Sequence, residues 1–178
     1  MNIKTVPANE YQFRRTFNNF GIKITYLQPE MPFFSGGLSP KGITSQITEI
    51  ERIADSDIVD SSIILVTGYY AHYRMFPFSL YEDRIKRIAR AIRVLIDKKP
   101  RARVFIQGPH FVREKNNLYD SRMDQVYRSS LFDAFDGLKE HVFYLDAWIL
   151  SATFDNDNTH VYGKCLEAKI QQFMAYLC

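Results

Sequence analysis

The chain alternates between two hydrophobic periods, and this limits its possible folds more than any single motif does. Strand-like runs rich in β-branched and aromatic residues occupy Ile22–Leu27 (IKITYL), Ser62–Thr67 (SIILVT), Ala102–Gln107 (ARVFIQ) and Val142–Asp146 (VFYLD). Between them run helical patterns: Ile43, Ile47, Ile50 and Ala54 on one stripe, Ile85 through Ile96 on a second, and Met123, Tyr127, Leu131 and Phe135 on a third. A last helix carries Leu166, Ile170, Phe173, Met174 and Leu177. Ser79-Leu-Tyr-Glu82 reads as a capping box at the head of the second helix, and Pro100 as its stop. Asn9–Phe20 reads as a short helix ended by Gly21. Helical crossovers between strands predict an α/β fold, a mostly parallel sheet covered on both faces as a three-layer sandwich.

With 178 residues, 46% of them hydrophobic, the chain has material for one well-buried core, so 1–178 reads as a single domain. Its 23 basic residues stand against 20 acidic ones, a near balance that sets up no field to draw in nucleic acid. The densest basic run, Arg84–Arg93 (RIKRIARAIR), alternates with Ile85, Ile88, Ala89 and Ile92 at helical spacing and reads as a solvated helix face. The first residues, MNIKTVPANEYQFRR, show no apolar core of a signal peptide, and no run is long enough to span a bilayer. Cys165 and Cys178 form no metal set; a disulfide between them would break the predicted helix that separates them by about 20 Å.

In open α/β sheets ligands sit beyond the carboxyl ends of the strands. There the chain places Gly68-Tyr-Tyr-Ala-His72-Tyr-Arg74, then Gln107-Gly-Pro-His110, then Asp146-Ala-Trp148 and finally FDNDNTHVYG (154–163). Calcium does not suit the last segment, because the glycine and the bidentate glutamate of a calcium loop would have to be His160 and Leu166. Zinc would need His72, His110, Asp157 and His160 to converge from separate loops without any paired spacing. No cofactor is expected. An aspartate three residues before a histidine suits a base held by its carboxylate, although Asn-Asp-Asn is also ordinary turn chemistry. Tyr69, Tyr70, Tyr73 and Trp148 suit either a sugar-binding rim or the edge of a core.

Three blocks carry a resemblance: Phe143-Tyr-Leu-Asp146-Ala-Trp148 with Asp157-x-x-His160 behind it, Ile63–Val66 followed by His72-Tyr-Arg74-Met-Phe76-Pro77, and Arg103-Val-Phe-Ile-Gln107 with Arg113-Glu114. From about residue 60 onward they keep the order and spacing of the C-terminal domain of the NXPE family (neurexophilin and PC-esterase domain proteins), which resembles SGNH-type hydrolases. The resemblance implies His160 as base, Asp157 as its orienter, Gly68 as an oxyanion donor, and His72, Arg74 and Trp148 against substrate. It implies acyl esters of carbohydrates as chemistry, an acylated glycan or glycoprotein as partner, and a secretory or extracellular setting. The chain departs from that pattern in two ways. Val161 follows His160 where the family has proline, and no Gly-Asp-Ser occurs anywhere: Asp55-Ser56, Asp60-Ser61 and Asp120-Ser121 do not follow strands. The expectation is a domain lacking the serine-bearing first strand, inactive as this chain, with a non-catalytic carbohydrate- or protein-binding domain as the alternative.

Overall fold

Three parallel strands, β3 (Ile64–Gly68), β4 (Arg103–Gln107) and β5 (Val142–Leu145), make the main sheet in the order β3-β4-β5. The computed structural model describes residues 14–19, 22–27, 46–60, 63–68, 73, 76–111, 121–154 and 163–177, in two compact units, Met1–Gln46 and Ile47–Cys178. In the larger unit the strands alternate with α1 (Gln46–Ala54), α2 (Phe78–Lys98), α3 (Ser121–Phe135), α4 (Ala147–Thr153) and α5 (Gly163–Leu177). A 3-10 turn, Asp136–Leu138, precedes β5. The fold is α/β, as its periodicities predict.

Strand register decides which helix covers which face. Val66, Phe105 and Phe143 lie in register and so share one face, while Ile106 and Tyr144 share the other. The Phe105 ring meets Phe173 at 4.9 Å, and the Phe143 ring meets Tyr176 at 5.4 Å, which seats α5 on the first face. Phe132 of α3 stacks near Tyr144 at 4.1 Å, and α2 packs against α3, which gives the second face its layer. This arrangement fits a three-layer sandwich. β4, between both layers, buries Val104, Phe105 and Ile106 completely. On β3, Ile64 and Val66 remain 43% and 48% exposed, so α5 does not extend over that strand.

The long helix α2 forms because Tyr81, Ile85, Ile88, Ile92 and Leu95 fall every three or four residues, and each is fully buried. Its basic run stays outward: Lys86, Arg87, Arg90 and Arg93 are exposed, as expected of a solvated face. The helix starts at Phe78 with Pro77 before it and no side-chain cap, so the expected capping box is not formed. Ser79 lies inside the first turn, where proline's fixed φ has already set the entry. At the other end Lys98 is the last helical residue, two before Pro100, and the Lys99 N–H closes the turn on the Leu95 carbonyl.

An aromatic cluster ties α2 to α3. Tyr81 lies edge-on to Tyr127 at 4.4 Å and donates its hydroxyl to the Tyr127 carbonyl, and the Tyr127 hydroxyl donates to the Tyr73 carbonyl. Tyr73 is 4% exposed and belongs to this core, not to a rim; Tyr69 and Tyr70 lie outside the described residues.

Two readings in the smaller unit are corrected. Arg14–Asn19 is a strand, β1, where a helix over Asn9–Phe20 was expected, and Ile22–Leu27 (β2) pairs with it antiparallel and not in the parallel sheet. The register runs from Arg14 opposite Leu27 to Asn19 opposite Ile22, which leaves only Phe20 and Gly21 between the strands. So short a connection closes a hairpin at small entropic cost, and the helical reading treated Gly21 as a stop when it marks a reversal. The larger unit yields an energetic contrast. Ile92→Ala, fully buried, should lower unfolding free energy by about 2–5 kcal/mol in urea titration. Ile170→Ala, at a site 52% exposed, should cost less than about 1 kcal/mol.

Candidate functional site

Parallel register brings the strand ends together: Gly68 pairs with Gln107, and Gln107 with Leu145, so the segments that follow emerge along one edge. The Gly108 N–H donates to the Leu145 carbonyl at 3.1 Å and carries the ladder one step further. His110 is buried at 5% exposure just beyond.

Gly108 is a requirement of packing. A Cβ there would lie 2.0 Å from the Tyr144 hydroxyl oxygen and 2.5 Å from its ring carbon. The phenol of Tyr144 is buried beneath it, and burial pushes its pKa up, partly opposed by the neighbouring Arg128 guanidinium. Arg128 in turn holds Asp146 at 2.5 Å, a bond that raises the Arg128 pKa, and stands over the Phe132 ring at 5.2 Å. The second Asp146 oxygen accepts the Trp148 N–H at 3.2 Å, which makes Asp146 the N-cap of α4.

α4 was not expected from the sequence. Asp146 directly before Ala147-Trp148-Ile149-Leu150 was the available sign, since aspartate is a favoured N-cap and neutralises the positive end of a helix. Inside α4, Ser151 is fully buried; its Oγ donates to the Ala147 carbonyl at 2.6 Å and accepts the Phe111 N–H at 2.6 Å. That exchange fixes the segment after β4 against the helix after β5.

Trp148 therefore has a definite place. Its ring meets Phe111 edge-on at 5.7 Å and forms one wall of a cavity of about 570 Å³. Two other helices complete it: Phe78 and Glu82 at the head of α2, and Gln125, Val126, Ser129, Ser130 and Asp133 along α3.

Of the residues expected at the site, Gly68 and Trp148 lie at this edge, on β3 and α4. His72, Arg74, Asp157 and His160 lie outside the described residues. At Gly68 an added Cβ would meet nothing closer than 3.4 Å, so packing does not demand glycine. Gly108, Arg128 and the polar face of α3 carry much of this edge, and sequence reasoning gave them no role. Among the described residues no group of His, Cys, Asp and Glu could hold a metal, and no helix is long and apolar enough to cross a membrane. Cys165 is free and buried; Cys178 lies outside the described residues.

The class these features define is an α/β domain with a parallel sheet and a cleft lined by the helices α2, α3 and α4. A family model described as NXPE family member 4-like, C-terminal domain, matches residues 4–178, and the chain belongs to that family.

Two measurements test this geometry. Gly108→Ala should destabilise by about 1–3 kcal/mol through overpacking against Tyr144, while Gly68→Ala should stay within about 1 kcal/mol of the parent. The second uses Lys169 on α5, whose ammonium burial pushes down to about 8, against a smaller raising influence of Cys165. Between pH 8 and about 10 the unfolded lysine holds a proton that the folded one has released, so stability should rise with pH. Above about 10 the trend should reverse: buried Tyr73, pushed up to about 12, and Tyr81 and Tyr144 keep protons that the unfolded chain loses. Thermal melts across this range should peak near pH 10, and Lys169→Met should remove the rising limb.

Proposed function

We propose that this domain receives the acylated part of a carbohydrate at the carboxyl edge of its sheet, and that as this chain it binds without hydrolysing. The family supports the ester reading at the level of its chemistry: Asp157 and His160 stand in the Asp-x-x-His spacing in which a carboxylate orients an imidazole. In that reading His160 accepts the proton of an attacking hydroxyl or water, the Gly68 N–H faces the developing oxyanion, and His72, Arg74 and Trp148 hold the sugar. The observation that carries binding over turnover is the sequence itself, which has no Gly-Asp-Ser to supply the nucleophile. A base and its aspartate without that serine retain only residual rate.

A second reading, a binding domain for carbohydrate or protein that never handled an ester, draws on the cleft beside Trp148, which is formed without any nucleophile. The two separate by experiment. If Asp157 and His160 form a dyad, the imidazole N–H should give a strongly downfield proton resonance that disappears in Asp157→Asn. Hydrolysis of an activated acetyl ester should match buffer and be unchanged by His160→Ala. Absence of the resonance would remove the ester reading; turnover abolished by His160→Ala would remove the inert one.

A further inference from the structure

We propose that the cleft between α2, α3 and α4 binds hydroxylated primary ammonium compounds of the amino-sugar class. Two carboxylates line it, Glu82 on α2 and Asp133 on α3, and among the described residues no basic side chain does. Neither carboxylate has an ion-pair partner among the described residues, whereas the nearby Asp146 is tied to Arg128. The occupant that complements two unneutralised carboxylates lining one cavity is a cation.

The remaining walls narrow its chemistry. Gln125, Ser129 and Asp133 stand four residues apart and so form one row along α3, an amide, a hydroxyl and a carboxylate in sequence. Such a row pairs with a ligand that carries several hydroxyls. Trp148 also lines the cleft, and an indole can take ring C–H groups on its apolar face and an ammonium on its negative π-face. Its own N–H is buried and has no acceptor among the described residues. A volume of about 570 Å³ accommodates one or two sugar rings and is of the size that small-molecule sites use. The proposal is independent of the ester reading, since it requires neither Asp157 nor His160 and predicts binding, not turnover.

The chain contains a single tryptophan, so the site carries its own reporter. Fluorescence titration of the full chain at mildly acidic pH would compare glucosamine, N-acetylglucosamine and glucuronate, one ring shape in three charge states. Glucosamine should give a saturable Trp148 response. N-acetylglucosamine should bind at least about five-fold more weakly and glucuronate more weakly still, since each exposed carboxylate contributes roughly a two- to five-fold preference. Glu82→Gln and Asp133→Asn should each remove part of that preference and together abolish it; both positions reach solvent, so the variants fold. Equal binding of all three sugars, no saturable response, or a preference that survives in the double variant would overturn the proposal. The dyad resonance tests the ester reading separately.

Discussion

The structure depends on the complete burial of β4. Val104, Phe105 and Ile106 have no solvent exposure, because one face of the strand lies beneath α5 and the other beneath the α2–α3 layer. A strand confined on both faces and bonded on both edges has no freedom of register, and a slip of one residue would turn every side chain to the wrong layer. Gln107 and Gly108 thus leave the sheet at a fixed point. From there a chain of contacts runs outward. Gly108 rests on the Tyr144 phenol, Tyr144 lies beside Arg128, Arg128 holds Asp146, and Asp146 caps α4 and sets Trp148 at the cleft.

Much of this was legible in the sequence, where one physical signal sufficed. The strand β4 and the helices α2 and α3 each bury a face that leaves a period in the sequence, and Ile85, Ile88, Ile92 and Leu95 are that period made visible; in α5, by contrast, Leu166, Ile170 and Met174 of the expected stripe stay exposed. In the smaller unit the same signal found the strand Ile22–Leu27 but not its partner. Arg14–Asn19 is specified by pairing with that strand, and pairing leaves little trace in the apolar spacing of RRTFNN alone. The capping box failed for a related reason. Ser79 and Glu82 have the right spacing, but Pro77 had already committed the chain to helix two residues earlier.

The site was legible in location more than in parts. That Gly68 and Trp148 stand at the carboxyl edge could be read from the direction of the strands, which needs no side-chain detail. What it cannot reveal is a role that arises only from tertiary approach. Gly108 looks like any strand-ending glycine until Tyr144 is seen within 2.0 Å of where its Cβ would stand. The polar row of Gln125, Ser129 and Asp133 looks like a solvated helix face until Trp148 and Glu82 close around it.

The serines described at this edge bear on the binding reading proposed above. A serine nucleophile needs a hydroxyl whose oxygen faces the acyl carbon and whose proton is free to pass to a base. The buried serine beside the strand ends, Ser151, meets neither condition: its proton is engaged by the Ala147 carbonyl and its oxygen by the Phe111 N–H. Removing it from those bonds would release the segment after β4 from α4 and leave buried polar groups unpaired, at about 1–3 kcal/mol each. Ser129 and Ser130 face the cleft, but they sit within the regular turns of α3, where no strained strand-to-helix elbow presents the oxygen. At this edge, then, the described hydroxyls either hold the backbone in place or line an acidic cleft. Neither role supplies the free, exposed hydroxyl that an acyl-transfer nucleophile requires.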